Sequence, residues 1–365
     1  MRIYLSINDL QSGGAERVLT NMANYWAEKG HDVAFIVLSD APSFYELHPK
    51  ITIFHPSFAK SRNFFIRNIK QLHFIWSVIK RQKRAEKPDI LIGFMTENNV
   101  RAVIASRLTH TPLIISERSN PAYNYLEMNA LWLPLSRFFY RFANCLVVQT
   151  KATRQLFHDL KFPLPPTEVV ANPLNNAFVN YSGPLSKEKI ILSVGRLSPE
   201  KGHKQLIEAF SQVKTDNWVL HIAGDGVLRQ TYQDLIDTLN LSNRVKLLGN
   251  QANLVSIYAR SAIFVLPSLY EGFPNALCEA MSMGCAPISF DCQTGPSDII
   301  LDGVNGKLVE PQDIDALATA MQTYIDDDAL RKKIGKEARN IKKRLSNDVI
   351  MAQWDAILAK YAIKL

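Results

Sequence analysis

Tyr270-Glu271-Gly272-Phe273-Pro274-Asn275-Ala276-Leu277-Cys278-Glu279-Ala280-Met281 follows the apolar run Ile263-Phe264-Val265-Leu266 and leads into small residues ending near Gly284. The run reads as a buried parallel strand, closed by Pro267-Ser268. Pro274 suits the first turn of a helix, where its fixed φ fits and its missing N–H is not needed. The amides of Asn275, Ala276 and Leu277 then point out of that helix start and form an anion site. Glu271 lies in the loop ahead of it and Glu279 on its second turn. Two carboxylates around a bare phosphate make little sense, but they are strong acceptors for hydroxyl groups flanking one. A nucleoside diphosphate sugar has that chemistry.

The same strand-then-helix pattern extends in both directions. Apolar strands are expected at 2–7, 33–38, 51–55, 89–94, 113–116 and 145–149. A second series is expected at 190–194, 218–223, 244–248, 263–266, 286–290 and 307–309. Alternation of this kind specifies parallel α/β sheets, and 365 residues is long for one core. Asn, Pro, Ser and Gly gather at 172–189, the expected linker. The expectation is therefore two Rossmann-like domains across a cleft, at 1–180 and 181–347, with a C-terminal helix at 348–365. Ligands of such sheets bind beyond the carboxyl ends of the strands.

Composition excludes several classes. With 47% hydrophobic and 21% charged residues the chain is globular, and no apolar run reaches the roughly 18–20 residues of a membrane span. The N-terminus lacks a signal-peptide layout. Cys145, Cys278, Cys285 and Cys292 show no CxxC pairing and read as reduced core thiols in a cytoplasmic protein. Asp326-Asp327-Asp328 could pass for a metal-binding DxD, but it sits in an amphipathic tail and reads as a helix boundary. No metal is expected.

The net charge of +8 has a definite location. Lys60, Arg62, Arg67, Lys70, Lys80, Arg81, Lys83, Arg84 and Lys87 stand against Glu86 alone, with Phe64, Phe65, Ile69, Phe74 and Trp76 among them. A basic amphipathic helix over 60–87 on an anionic membrane fits this pattern; a helix packed on the sheet with a solvated outer face is the alternative. Nothing matches a nucleic-acid-binding motif. The aromatic stretch 131–140 either adds to that surface or packs in the core, and core packing is expected.

Strand ends supply the remaining candidates. Gly13-Gly14, opening a helix after the first strand, reads as a close-approach anion cradle or as a plain tight turn. Glu117-Arg118, after the fifth strand, suits sugar or phosphate contact; a capped loop with a surface ion pair is the alternative. Gly195 lets Arg196 leave its strand, and Lys201 returns to the same place, so a fork and a point charge can clamp a diphosphate. Gly224, Leu248, Gly249 and Asn250 lie in turns whose backbone groups either hold a base or only close loops.

With these residues in view the chain resembles the retaining glycosyltransferase family 4 of the GT-B fold. GGAERV, VGRLSPEKG, AGDG and EGFPNALCEAM occur in that family's order nearly end to end. The resemblance implies that Glu271 contacts the donor sugar hydroxyls and Glu279 the ribose. It implies that Arg196 and Lys201 hold the diphosphate and the Asn275, Ala276 and Leu277 amides a phosphate. Phe273 falls within the same donor element, and Gly14, with Gly13, would lie under the sugar phosphate. Many members carry a His near Glu117-Arg118; none stands there here, so Arg118 or Glu117 would take its place. SGGAER and ISERSNPAY look most like bacterial enzymes extending undecaprenyl-pyrophosphate-linked oligosaccharides, some of which transfer α-linked N-acetylgalactosamine from the UDP sugar. That implies a metal-independent retaining hexosyltransferase, acting as a monomer and working peripherally on the inner face of the cell membrane. Its partners would be a nucleotide sugar, most simply UDP-linked, and a polyprenyl-pyrophosphate glycan whose pyrophosphate meets Arg67, Lys70, Lys80, Arg81, Lys83 and Arg84. Another UDP or GDP sugar, a GT-B sugar-nucleotide 2-epimerase, and a silent nucleotide-sugar-binding protein are the rival readings.

Overall fold

A computed structural model of the chain describes all residues except 12, 58–60, 84–85, 119, 121–130, 216 and 364–365. The chain divides into two compact units, Met1–Asn172 with Ile350–Leu365, and Pro173–Val349.

The first unit runs β1 (Arg2–Ile7), α1 (Gly14–Glu28), β2 (Asp32–Val37), β3 (Thr52–Phe54), α2 (Phe64–Arg81), β4 (Ile90–Phe94), α3 (Thr96–Thr109), β5 (Leu113–Ser116), α4 (Trp132–Phe139), a 3₁₀ turn Tyr140–Phe142, β6 (Cys145–Val148), α5 (Lys151–Asp159) and β7 (Thr167–Val169). Its strands are parallel, in the order β3-β2-β1-β4-β5-β6-β7. Interior strands β4, β5 and β6 are buried along their whole length, which is why they read as unbroken apolar runs.

The second unit contains α6 (Asn176–Val179), β8 (Glu188–Val194), α7 (His203–Gln212), β9 (Val219–Ala223), α8 (Arg229–Thr238), β10 (Val245–Gly249), α9 (Leu254–Arg260), β11 (Ser261–Leu266), α10 (Asn275–Ser282), β12 (Ala286–Phe290), α11 (Pro296–Ile299), β13 (Lys307–Val309), α12 (Ile314–Asp326), α13 (Asp328–Ala338) and α14 (Ile341–Arg344). Its sheet is parallel in the order β10-β9-β8-β11-β12-β13. Strand order reverses between β1 and β4 in one sheet and between β8 and β11 in the other. Such reversal points leave a crevice at the carboxyl ends of the strands.

Both units are the Rossmann-like α/β layers expected from the sequence. Their division falls after Asn172 rather than at 180, since Phe178 of α6 is buried with its ring 5.5 Å from Tyr258 of the second unit. The last helix, α15 (Asn347–Tyr361), belongs to the first unit from Ile350 onward. Trp354 packs edge-on against Trp26 at 6.3 Å and stacks on Phe94 at 6.5 Å. Asp355 accepts hydrogen bonds from Trp26 Nε1 at 2.9 Å and Lys29 Nζ at 3.0 Å.

Strand β7 is absent from the expected set. It has three half-buried residues behind a proline cluster and carries no periodicity to detect. All four cysteines are buried and unbridged. Asp327 caps α13 through the Leu330 amide at 2.8 Å, and Asp328 pairs with Arg331 and Lys332, so the acidic run marks a helix junction.

Candidate functional site

In the second unit, the loops after β8 and β11 meet at the reversal point. Gly202 makes this possible: its φ is +65°, and a Cβ there would stand 1.9 Å from the Pro267 carbonyl oxygen. The Leu269 amide also donates to the Glu200 carbonyl at 2.9 Å. The result is an ion pair, Lys201 Nζ to Glu271 Oε1 at 2.7 Å, with Glu271 only 9% exposed and Lys201 25%. The clamp residue and the hydroxyl-binding residue expected from the sequence are thus in direct contact. Arg196 is exposed, and its guanidinium has no ion-pair partner among the described residues. Beneath this loop, burial and the nearby Lys201 push the His203 imidazole down to about 3, so it stays neutral.

Glu271 is fixed from behind. The Thr294 hydroxyl donates to the Glu271 carbonyl, and both residues are buried. Gly295, at φ +106°, lies so close that a Cβ would stand 2.9 Å from Pro274 Cδ. Pro274 is the cap of α10 rather than its first residue, with ψ 72° where a helical residue would be near −42°. The Asn275 amide is donated to the Phe273 carbonyl at 2.9 Å. Of the three expected anion-binding amides, those of Ala276 and Leu277 remain without an intrahelical acceptor, as in any first turn. Phe273 is buried beside them, and Glu279 is buried with Tyr258 Oη 3.4 Å from its Oε2.

A cavity of about 320 Å³ opens at the carboxyl ends of β8, β9 and β10, lined by Gly195, Arg196, Gly224, Asp225, Asn250 and Leu254 among others. Gly224 has φ +134°, and a Cβ would stand 2.0 Å from the Gly195 carbonyl oxygen, so only glycine closes this wall. Asn250 lines the cavity, whereas Leu248 does not. The Gly249 carbonyl accepts from the Gly224 amide at 2.8 Å, and the Leu248 carbonyl from Gln251 at 2.6 Å, so both are engaged within the protein.

In the first unit, Gly13 caps α1 in an extended conformation and Gly14 begins it. Tyr45 Oη is 3.3 Å from the Gly13 amide and 3.0 Å from its carbonyl, and so holds the loop. Glu16 folds back over Gly13, where a Cβ would stand 2.0 Å from Glu16 Oε2. Burial raises the Glu16 carboxyl.

Glu117 and Arg118 differ from expectation. Glu117 is 2% exposed and turned into the unit, accepting from the Tyr140 hydroxyl, from Thr96 Oγ1 at 3.0 Å and from Asn99 Nδ2 at 3.2 Å. Burial raises it to about 7, against the hydrogen bonds that lower it. Its carboxylate is engaged by residues of its own unit. Arg118 lies 4.3 Å from the Phe94 ring centroid and 5.8 Å from Trp354, with Nη1 donating to Asn172 Oδ1 at 2.6 Å. Burial lowers it to about 9, and its Nε and Nη2 are buried without a hydrogen-bond partner among the described residues.

Helix α2 spans Phe64–Arg81 and is shorter than the expected 60–87. Asn63 starts it by accepting from the Ile66 amide at 3.1 Å, and Gln82 leaves the helical region with ψ 137°. The helix packs on the sheet at one end and is open at the other. Ile75, Val78 and Ile79 are buried in the core, whereas Phe65, Ile66 and Ile69 face outward. Arg67, Lys80, Arg81 and Lys83 are exposed, Lys70 is half-buried, and Arg84 lies outside the described residues.

Tyr45, Glu16, Tyr258 and Thr294 were not singled out in the sequence. Only Thr294-Gly295-Pro296 carried a signal, a turn cluster immediately after a strand.

Comparisons with known proteins agree with this layout. The family described as "Glycosyltransferase Family 4" matches residues 12–178, and "Glycosyl transferases group 1" matches 178–341. Among curated proteins, an N-acetylgalactosamine-N,N'-diacetylbacillosaminyl-diphospho-undecaprenol 4-α-N-acetylgalactosaminyltransferase of Campylobacter jejuni is 30% identical, over 93% of this chain and 94% of its own. A second C. jejuni α-1,4-N-acetylgalactosaminyltransferase, whose name gives a GalNAc-containing diNAcBac-PP-undecaprenol substrate, is 27% identical over 99% of both chains. Among solved structures, sucrose-phosphate synthase of Thermosynechococcus elongatus superposes with a TM-score of 0.84 at 18% identity, covering 98% of both chains. HepE of Anabaena, in complex with UDP, gives 0.82 at 21% identity, covering 99% of this chain and 100% of its own.

Proposed function

The chain belongs to glycosyltransferase family 4 and is a hexosyltransferase of the GT-B fold, and on that premise we propose that it transfers a sugar, N-acetylgalactosamine from its UDP donor, with retention onto a polyprenyl-pyrophosphate-linked oligosaccharide. The observation that carries this reading is the 2.7 Å pair between Lys201 and Glu271. In the absence of donor each charge satisfies the other. An incoming diphosphate competes for Lys201, and Glu271 is then released to accept hydrogen bonds from the sugar hydroxyls.

Arg196 and Lys201 together neutralise the charge that builds on the departing diphosphate, a role that needs no metal ion in this reading. Carboxyl-end residues such as Asn250 border the base and ribose, and the acceptor hydroxyl attacks from the face the diphosphate leaves. Support for the sugar and the acceptor comes from the names of the two C. jejuni relatives. Exposed Arg67, Lys80 and Arg81 on α2 suit the acceptor's pyrophosphate at the inner membrane face. No described helix is long and apolar enough to cross a membrane, so this association would be peripheral.

The test is a panel of UDP and GDP sugars with a short polyprenyl-pyrophosphate glycan, and linkage read by NMR. An α-linked N-acetylhexosamine product is expected only with acceptor present. A β-linked product would overturn retention, and turnover of the donor alone to its 2-epimer would overturn transfer.

A further inference from the structure

The stretch 131–140, expected to pack in the core, does so on one side only, as does its continuation to Phe142. Trp132, Ser136 and Tyr140 face inward, while Leu133, Phe138 and Phe142 are exposed, Phe138 by 50%. The buried residues recur every four positions along one face, and the exposed ones spread over the remaining, outward arc of the helix and its 3₁₀ extension. No acidic residue lies in 131–142, and Arg137 and Arg141 are both exposed. The Arg141 guanidinium lies 4.4 Å from the Phe138 ring centroid and 5.1 Å from that of Phe142. Arg107, at the end of α3, lies 5.9 Å from Phe142, next to Leu108, which is 60% exposed.

This arc is joined to α2. The Phe64 ring is 5.9 Å from Trp132. Arg101 of α3 donates to Asn68 of α2 through Nε at 3.0 Å and Nη2 at 2.6 Å, and its guanidinium lies 5.2 Å from the Trp132 ring. Burial lowers Arg101 only to about 10, so it remains a cation holding both helices. Phe65 and Ile69 of α2, each 66% exposed, therefore share a scaffold with Leu133 and Phe138.

We infer that α4 and the Tyr140–Phe142 turn are a second membrane-contacting element, which inserts Leu133, Phe138 and Phe142 among anionic lipid headgroups beside α2. Charge complementarity selects this occupant: exposed aromatic and aliphatic side chains alternate with arginines and no acid, the composition that seats in a headgroup layer. Arginine over an aromatic face keeps its charge at the phosphate level while the ring enters the acyl boundary. The inference rests on the membrane reading of α2, and adds a footing on a separate stretch of chain.

The test is flotation of the full chain with vesicles of phosphatidylglycerol and phosphatidylethanolamine, and with phosphatidylcholine vesicles as the neutral control. Leu133→Ser/Phe138→Ser is compared with Phe65→Ser/Ile69→Ser, and thermal melting confirms that each double variant is folded. Each pair is expected to lower partitioning onto anionic vesicles by about tenfold, with weaker binding of the wild type to phosphatidylcholine. Wild-type partitioning by Leu133→Ser/Phe138→Ser, with loss in Phe65→Ser/Ile69→Ser, would overturn the second element and leave α2 standing. No vesicle binding by the wild-type chain would overturn both. Self-association of the wild type that disappears in Leu133→Ser/Phe138→Ser, without a change in flotation, would make the arc a contact between copies and also overturn the inference.

Discussion

Replacing Lys201 with Met should separate the structural from the catalytic part of the Lys201–Glu271 pair. The substitution keeps most of the stem and removes a charge 2.7 Å from a carboxylate that is 9% exposed. Breaking a fully buried pair costs about 3–5 kcal/mol. Here a quarter of the lysine side chain meets solvent, so water can enter and the expected loss is nearer ~2 kcal/mol. For a unit of this size that corresponds to roughly 4–8 °C in the transition of Pro173–Val349 by scanning calorimetry. Glu271→Gln should destabilise less, because the more exposed ammonium left behind can be hydrated. The double variant should recover most of the stability lost in Lys201→Met, since no uncompensated charge remains. Activity should behave oppositely: all three variants should lose about 10²–10³-fold in kcat through lost charge stabilisation. Recovery of turnover in the double variant would show the pair to be scaffold alone. An unchanged transition in Lys201→Met would refute the buried-charge reasoning.

Three further outcomes are expected. Glu117 is raised to about 7 when folded, so its contribution is full below about pH 4.5 and is lost as pH rises toward 7. Glu117→Gln should flatten that decline, worth roughly 3 kcal/mol at most, in urea unfolding followed from pH 4 to 8; a decline as steep as in the wild type would contradict it. Thr294→Val removes the donor to the Glu271 carbonyl and should cost about 1–3 kcal/mol. It should lower kcat more than it raises donor KM, with Thr294→Ser restoring both; equal loss in Val and Ser would point to packing instead. Gly224→Ala forces a Cβ against the Gly195 oxygen and should cost about 3 kcal/mol and abolish donor binding by calorimetric titration, whereas near-normal affinity would remove the cavity wall from the site.

The strand ends were readable because chemistry and periodicity coincide there. Arg196, Lys201 and Glu271 are polar residues set directly after apolar runs, and glycine or proline announces each turn. Facing direction was not readable. A Glu-Arg pair after β5 looks the same whether it meets a ligand or turns inward, and the partners that turn Glu117 inward, Thr96, Asn99 and Tyr140, lie far along the chain. The stretch 131–140 posed the reverse problem: its aromatics suggested core, yet Phe138 is exposed and Phe139 only half-buried. Helical spacing identifies a stripe but not which stripe the sheet covers. Tyr45 and Tyr258 act through single hydroxyls from other elements, and no local pattern marks such contacts.

The return of α15 to the first unit has a consequence for biosynthesis. Trp354 and Asp355 complete the packing around Trp26 and Phe94, yet they are made only after all of Pro173–Val349. At about 5–20 residues per second the ribosome needs roughly 10–35 s to traverse that stretch. During this interval the nascent first unit carries an unfilled tryptophan-sized notch, and the second unit is free to fold first. Truncation ahead of α15 would therefore damage the first unit, not the second.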